Sequence, residues 1–161
     1  MNILFLGDVM GKSGRQAVKK ELPELKRKLE VDTVILNGEN AAGGFGITPK
    51  ICEEFYELGV NVITTGNHIW DQKEIIPYIT KDNKLLRPIN FPPQVPGQGM
   101  VINEDSMGRK VLVINVMARL FMDPLNDPIE AIENIIENYK IGESVSAIVI
   151  DVHGEATSEK M

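Results

Sequence analysis

Three short apolar runs in this chain each end in a polar cluster, and this repeated arrangement constrains the fold more than any other feature. The runs are Ile3–Leu6, Thr33–Asn37 and Val60–Thr65, and the clusters that follow them are Gly7-Asp8, Gly38-Glu39-Asn40 and Gly66-Asn67-His68. Short β-branched runs bounded by glycine favour strands over buried helices. If these strands are parallel neighbours, their clusters meet at the carboxyl edge of one sheet. Open α/β folds bind their ligands at that edge.

A fourth run, Val145–Ile150, leads into the cluster Asp151-Val152-His153-Gly154. Together the four clusters bring carboxylates, amides and imidazoles, but no thiolate. Carboxylates that converge in one place repel each other unless a cation neutralises them. Oxygen and imidazole ligands without cysteine favour Mn, Fe, Mg or Zn at a functional site over a structural zinc site. The sequence therefore predicts a divalent metal site.

Length and charge limit the remaining possibilities. A chain of 161 residues is long enough for one well-buried domain, so we expect a single domain over 1–161. Its net charge of −6 argues against general nucleic-acid affinity. No apolar run is long enough to span a membrane, and no signal peptide precedes the first strand. These features predict a cytoplasmic protein, in which the single cysteine, Cys52, is a buried core thiol.

Helix signals alternate with the strand runs. The apolar spacing predicts a helix over Ser13–Glu30, with a kink or break before Pro23. Caps predict three more helices, which start at Thr48-Pro49, at Asp71 with Glu74 in the capping-box position, and at Asp127-Pro128.

The middle of the chain has a different pattern, with short strands predicted at Leu86–Asn90, Met100–Asn103 and Lys110–Val116. The segment Asp105-Ser106-Met107-Gly108 reads as the hairpin turn between the last two. We therefore expect an α/β fold with a mixed sheet that helices cover on both faces.

Two glycine-rich segments are candidates for phosphate loops. The segment from Gly7 to Ser13 is one residue too short for a Walker loop, and its Asp8 would repel phosphate. No dinucleotide-binding pattern opens the first helix. The segment Gly43-Gly44-Phe45-Gly46 is either a flexible loop or a place where the backbone approaches a substrate closely.

The polar clusters also resemble a known family. Gly7-Asp8, Gly38-Glu39-Asn40, Gly66-Asn67-His68 and His153 look like the motifs of the calcineurin-like metallophosphoesterases. Longer strings are similar to the YmdB-type branch of bacterial phosphodiesterases, and the resemblance covers essentially the whole chain. These strings are Gly7–Arg15, Asn37–Ala41, Gly66–Asp71, Arg87–Asn90 and Asp151–Lys160.

The resemblance implies an α/β sandwich of mixed sheet layers flanked by helices, and a site that holds two divalent metal ions, iron or manganese, with magnesium or zinc also open. Asp8 would bind one metal and Glu39 would bridge both. The further metal ligands would be Asn40, Asn67 and His153. His68 would be the catalytic imidazole. The implied activity is hydrolysis of phosphodiesters, including 2′,3′-cyclic nucleotides, so the expected partner is a small phosphodiester.

The chain also departs from the wider family. Met10 stands where many calcineurin-like enzymes carry a histidine ligand, and this change is shared with the YmdB-type branch. In that branch a later His-rich segment supplies two more ligands, so the resemblance predicts a domain that is incomplete at its C-terminal end. The alternative function is a catalytically incomplete regulatory or interaction domain on the same scaffold. An RNA-derived substrate and a homo-oligomer both stay open.

Overall fold

The computed structural model describes residues 1–161, which form six strands and five α-helices. In chain order they are β1 Ile3–Leu6, α1 Gly11–Lys28, β2 Thr33–Asn37, α2 Pro49–Glu57, β3 Val62–Thr64, α3 Ile75–Ile79, β4 Met100–Glu104, β5 Lys110–Met117, α4 Pro128–Ile136, β6 Ala147–His153 and α5 Thr157–Lys160. A 3₁₀ turn, Asn67–Trp70, follows β3. None of the helices combines the length and apolar character that crossing a membrane would need.

The strands form two three-stranded sheets, not the single sheet that the sequence predicted. The first sheet is wholly parallel in the order β1-β2-β3, with Leu36 of β2 opposite Leu6 of β1 and Ile63 of β3. The second has the order β4-β5-β6, in which β4 is antiparallel and β6 is parallel to β5. The fourth polar cluster therefore lies on a different sheet from the first three.

The two sheets pack against each other, and helices cover their outer faces. Buried residues of both sheets form a shared core that includes Ile35, Val62 and Val113. On the other side of the first sheet, Val34 and Leu36 contact the helical layer. Each sheet therefore has helices on one face only, and the prediction of helices on both faces of one sheet was wrong. The apolar runs are continuous because the second face of each sheet is buried as well.

Two local predictions were also wrong, a break in the first helix before Pro23 and a strand over Leu86–Asn90. Helix α1 continues through Pro23. Pro23 is exposed, as is Lys19 one turn earlier, so water can satisfy the carbonyl that proline leaves without a partner. No strand forms over Leu86–Asn90, where the Arg87 guanidinium donates to the main-chain oxygens of Pro88, Val95 and Pro96 and stabilises a loop.

The last strand is shifted relative to its prediction, because β6 extends to His153 instead of ending at Ile150. Its register places Asp151 opposite Asn115 and His153 opposite Met117 of β5. Polar residues therefore lie within this strand. Asp151 accepts from Asn37 and Thr64 of the first sheet, and His153 contacts the turns that follow β2 and β3. Local apolar spacing does not report these partners, so the prediction ended the strand too early.

Several predictions were confirmed. Thr48 and Asp127 cap α2 and α4 through their side chains. The hairpin turn closes with the Gly108 amide donating to the Asp105 carbonyl oxygen, 3.0 Å away. Cys52 is fully buried in the core between the first sheet and its helices.

Candidate active site

All the predicted site residues lie at the carboxyl ends of their strands. Asp8 follows β1, Glu39 and Asn40 follow β2, and Asn67 begins the 3₁₀ turn after β3. His153 is the last residue of β6. Because the two sheets pack face to face, the end of β6 meets the first sheet at this same edge.

Hydrogen bonds connect these side chains in one series. The Asn40 amide donates to Asp8 Oδ1 at 2.8 Å and to Glu39 Oε1 at 3.2 Å. The same Glu39 oxygen lies 3.2 Å from His153 Nε2. That nitrogen is also 2.9 Å from Asn67 Oδ1. The five residues that the sequence singled out as metal ligands are therefore brought together.

Glu39 is the most deeply buried charge at this edge, with 2% of its surface exposed. Burial raises its pKa to about 7, although the electrostatic interaction with His68 opposes the shift. Burial also lowers the pKa of His153. Glu39 Oε2 has no hydrogen-bond partner. A buried carboxylate oxygen without a partner is unusual, and a bound cation is one of the few groups that would satisfy it.

The backbone near this oxygen leaves room only for glycine. A Cβ atom on Gly66 would lie 2.0 Å from Glu39 Oε2 and 2.5 Å from the His153 ring. Asp8 has a φ of 21°, one of three non-glycine residues with a positive φ, and such strain often accompanies functional sites.

No three His, Cys, Asp or Glu side chains in residues 1–161 form a metal-binding group by themselves. Two of the five candidates are amides, and with their oxygens the set fits a hard or borderline divalent cation.

His68 lies beside this series and has different partners. Its Nδ1 is 2.7 Å from Asp71 Oδ2, and Phe45 packs edge-on against its ring with 5.2 Å between centroids. Asp71 was predicted to cap a helix, but it follows the 3₁₀ turn, and the next helix has Glu74 at its N-cap position without a side-chain cap. The prediction for Asp71 was wrong because an Asp at this spacing can bond an imidazole three residues earlier instead of an amide three residues later.

Sequence reasoning missed the residues that join the two sheets below the site. The side chains of Asn37 and Thr64 both donate to Asp151 Oδ2. The buried Asn115 accepts from the Thr65 amide and donates to the Thr65 carbonyl oxygen, each at 3.0 Å. A polar residue inside an otherwise apolar run, as Asn115 is in β5, was the available signal.

Comparison with known proteins agrees with the resemblance seen in the sequence. Residues 4–161 match the family of YmdB-like proteins. A Bacillus subtilis protein named 2′,3′-cyclic-nucleotide 2′-phosphodiesterase is 46% identical over 162 aligned residues, which cover 100% of this chain. The chain spans 60% of the length of that relative.

Two solved structures have the same fold. A hypothetical protein from Thermus thermophilus is 41% identical with a TM-score of 0.90, and the match covers 100% of this chain and 61% of that one. A structure described as a novel phosphatase from Mycoplasma pneumoniae is 34% identical with a TM-score of 0.87, covering 98% of this chain and 57% of that one. The family match, the identity and the shared fold together show that this chain belongs to the YmdB-like branch of the metallophosphoesterases.

Proposed function

We propose that this protein is a metal-dependent phosphodiesterase that hydrolyses 2′,3′-cyclic nucleotides. The observation that carries the proposal is the convergence on His153 Nε2, at the end of the second sheet, of oxygens from Glu39 and Asn67, which follow two strands of the first sheet. The name of the Bacillus subtilis relative supports the substrate class. The proposed compartment is the cytoplasm, where a free thiol such as Cys52 stays reduced.

The proposed metal ligands are the five residues of the hydrogen-bonded series. Asp8 would hold one of two divalent ions, and Glu39, whose Oε2 is unpartnered, would bridge both. The other ligands would be Asn40, Asn67 and His153. Iron or manganese is the proposed metal. A pair of bound cations at such a site supplies Lewis acidity and lowers the pKa of a water molecule.

His68 would act on the substrate without binding metal. Its Nδ1 faces Asp71, which leaves Nε2 as the ring nitrogen available for the leaving ribose oxygen. The Asp71 carboxylate stabilises an imidazolium, and an imidazolium can donate a proton to an oxygen that is losing its bond to phosphorus. The chain thus separates the proposed metal-binding groups from the proposed proton donor.

The test measures metal content and turnover of 2′,3′-cyclic AMP together, in the complete protein. We expect Glu39→Gln to lose bound metal and activity. We expect His68→Ala to keep its metal and to lose turnover by about 10²–10⁴-fold. The matched control is Glu133→Gln, which changes an exposed carboxylate on α4 and should alter neither quantity.

Two outcomes would contradict the proposal. Normal turnover by His68→Ala would remove that residue from the reaction. A wild-type protein that bound no Mn²⁺ or Fe²⁺ and hydrolysed no phosphodiester would favour the alternative, a regulatory or interaction domain on the same scaffold.

A further inference from the structure

Phe45 is a large apolar side chain at the border of the candidate active site. Its surface is 60% exposed, yet its ring packs against that of His68 at an interplanar angle of 81°. Single exposed apolar residues are common on proteins and need no explanation by themselves. Phe45 differs because the structure fixes its position beside the proposed proton donor.

Three contacts fix the loop that carries Phe45. The Gln72 side chain donates to the Phe45 carbonyl oxygen at 2.7 Å, and the Ala42 amide donates to the Gly46 carbonyl oxygen at 2.8 Å. Gly46 has a φ of +76°, and a Cβ there would lie 2.9 Å from the His68 carbonyl oxygen. The loop therefore packs directly on the 3₁₀ turn, with Phe45 next to the His68 ring.

Met10 adds a second apolar side chain on the same side. It is 50% exposed, and its sulfur lies 3.5 Å from where a Cβ on Gly44 would be. Met10 is also only two residues beyond Asp8. The side chains of Met10 and Phe45, here called the apolar rim, thus border the polar site next to both Asp8 and His68.

We propose that the apolar rim binds the nucleobase of the substrate, with Phe45 as the stacking residue. This inference rests on the proposed function, because it requires the phosphodiester to lie between the metal-binding residues and His68. A nucleoside cyclic phosphate carries its base on the same ribose as its phosphate, so a base can reach a ring that contacts the proton donor. Stacking on an aromatic ring tolerates every base, since each presents a flat face.

A purely structural role for Phe45 makes a different prediction. If the ring only orients His68, then its loss slows the chemical step on every phosphodiester. If the ring binds the base, then its loss weakens binding of substrates that carry a base and leaves other substrates unaffected. Loss of a contact that binds the ground state and the transition state equally raises KM and leaves kcat unchanged.

The experiment compares two substrates in the complete, Mn²⁺-loaded protein: 2′,3′-cyclic AMP, and the 2′,3′-cyclic phosphate of methyl riboside, which has no base. We expect Phe45→Ala to raise KM for cyclic AMP by about tenfold or more, and to leave KM for the base-free substrate and both kcat values unchanged. Phe45→Trp should restore the KM. The control is Met107→Ala, which removes another exposed apolar side chain, in the β4–β5 hairpin at the opposite end of β5.

An equal fall of kcat on both substrates in Phe45→Ala, with KM unchanged, would overturn the inference. If the wild-type protein hydrolyses neither substrate, the proposed function fails, and calorimetry then tests base binding separately with adenosine 3′-monophosphate and ribose 3-phosphate. Weaker binding of the nucleotide alone by Phe45→Ala would support the inference. Equal affinity of the wild type and the variant for the nucleotide would overturn it.

Discussion

His153 Nε2 lies 3.2 Å from Glu39 Oε1, although His153 ends a strand of the second sheet and Glu39 lies in the turn after a strand of the first. Burial shifts both groups toward their uncharged forms, because it raises the pKa of Glu39 to about 7 and lowers the pKa of His153. In the absence of metal, burial therefore favours an uncharged carboxyl group and an uncharged imidazole at this contact. A bound cation would favour the carboxylate instead.

The pKa of Glu39 predicts how the stability of the metal-free protein depends on pH. Its folded value of about 7 lies above the ordinary value of 4.5, so the folded state holds a proton that the unfolded state releases. The contribution of Glu39 is therefore fully present below pH 4.5 and is lost as the pH rises through 7. We expect this loss to be on the order of 3 kcal/mol in the free energy of unfolding.

Urea unfolding of wild type and Glu39→Gln between pH 4.5 and 8, with a chelator present, measures this contribution. The comparison is needed because His153 contributes with the opposite sign: its lowered pKa makes stability rise as the pH increases toward 6.5. His153 is present in both proteins, so the difference between their pH profiles reports the contribution of Glu39. Parallel pH profiles for the two proteins would contradict the prediction.

The contact between His68 and Asp71 predicts a change in rate without a change in metal content. Asp71→Asn removes a negative charge 2.7 Å from His68 Nδ1. We expect kcat on 2′,3′-cyclic AMP to fall about three- to tenfold, since the pair is partly exposed and such hydrogen bonds are modest. Glu74→Gln, an exposed carboxylate in the same segment, is the control and should retain full activity. Loss of metal by Asp71→Asn would contradict the prediction, because it would mean that Asp71 supports metal binding and not only His68.

The hydrogen bonds between Asn115 and Thr65 predict how much one side chain contributes to the stability of the packed sheets. Asn115→Ala leaves the buried Thr65 amide without this partner, and leaves the Thr65 carbonyl oxygen only the longer bond from Asn37 Nδ2 at 3.4 Å. We expect the free energy of unfolding to fall by about 2–4 kcal/mol, as two buried polar groups lose their hydrogen bonds. Asn134→Ala, an exposed position on α4, should stay within about 0.5 kcal/mol of wild type. Equal urea midpoints for the two variants would be evidence against this role.

The burial of Cys52 predicts that its thiol reacts slowly with alkylating reagents in the folded protein. Its thiol is fully buried and burial raises its pKa, so very little thiolate is present at pH 8. We expect iodoacetamide to label the native protein more than about 10³-fold more slowly than the urea-unfolded protein, because labelling requires unfolding. Mass spectrometry of timed samples measures both rates. Rapid labelling under native conditions would mean that this core opens locally.

The sequence alone determined which residues end up at the site. Each cluster follows an apolar run in the chain, and parallel strands present their ends at one edge, so Asp8, Glu39 and Asn67 could be grouped without coordinates. The caps at Thr48 and Asp127, each followed by proline, were also predictable from local sequence, whereas Asp71, which has no proline after it, contacts His68 instead of capping a helix.

Only the tertiary structure decided how the strands are divided and which polar residues connect them. Periodicity reports whether a strand is buried, but a strand covered by a helix and one covered by a second sheet are equally apolar. The two-sheet arrangement, the pairing of Asn115 with Thr65, and the contact between Glu39 and His153 all depend on groups distant in sequence. The same holds for Phe45, whose place beside His68 follows from how its loop packs on the 3₁₀ turn.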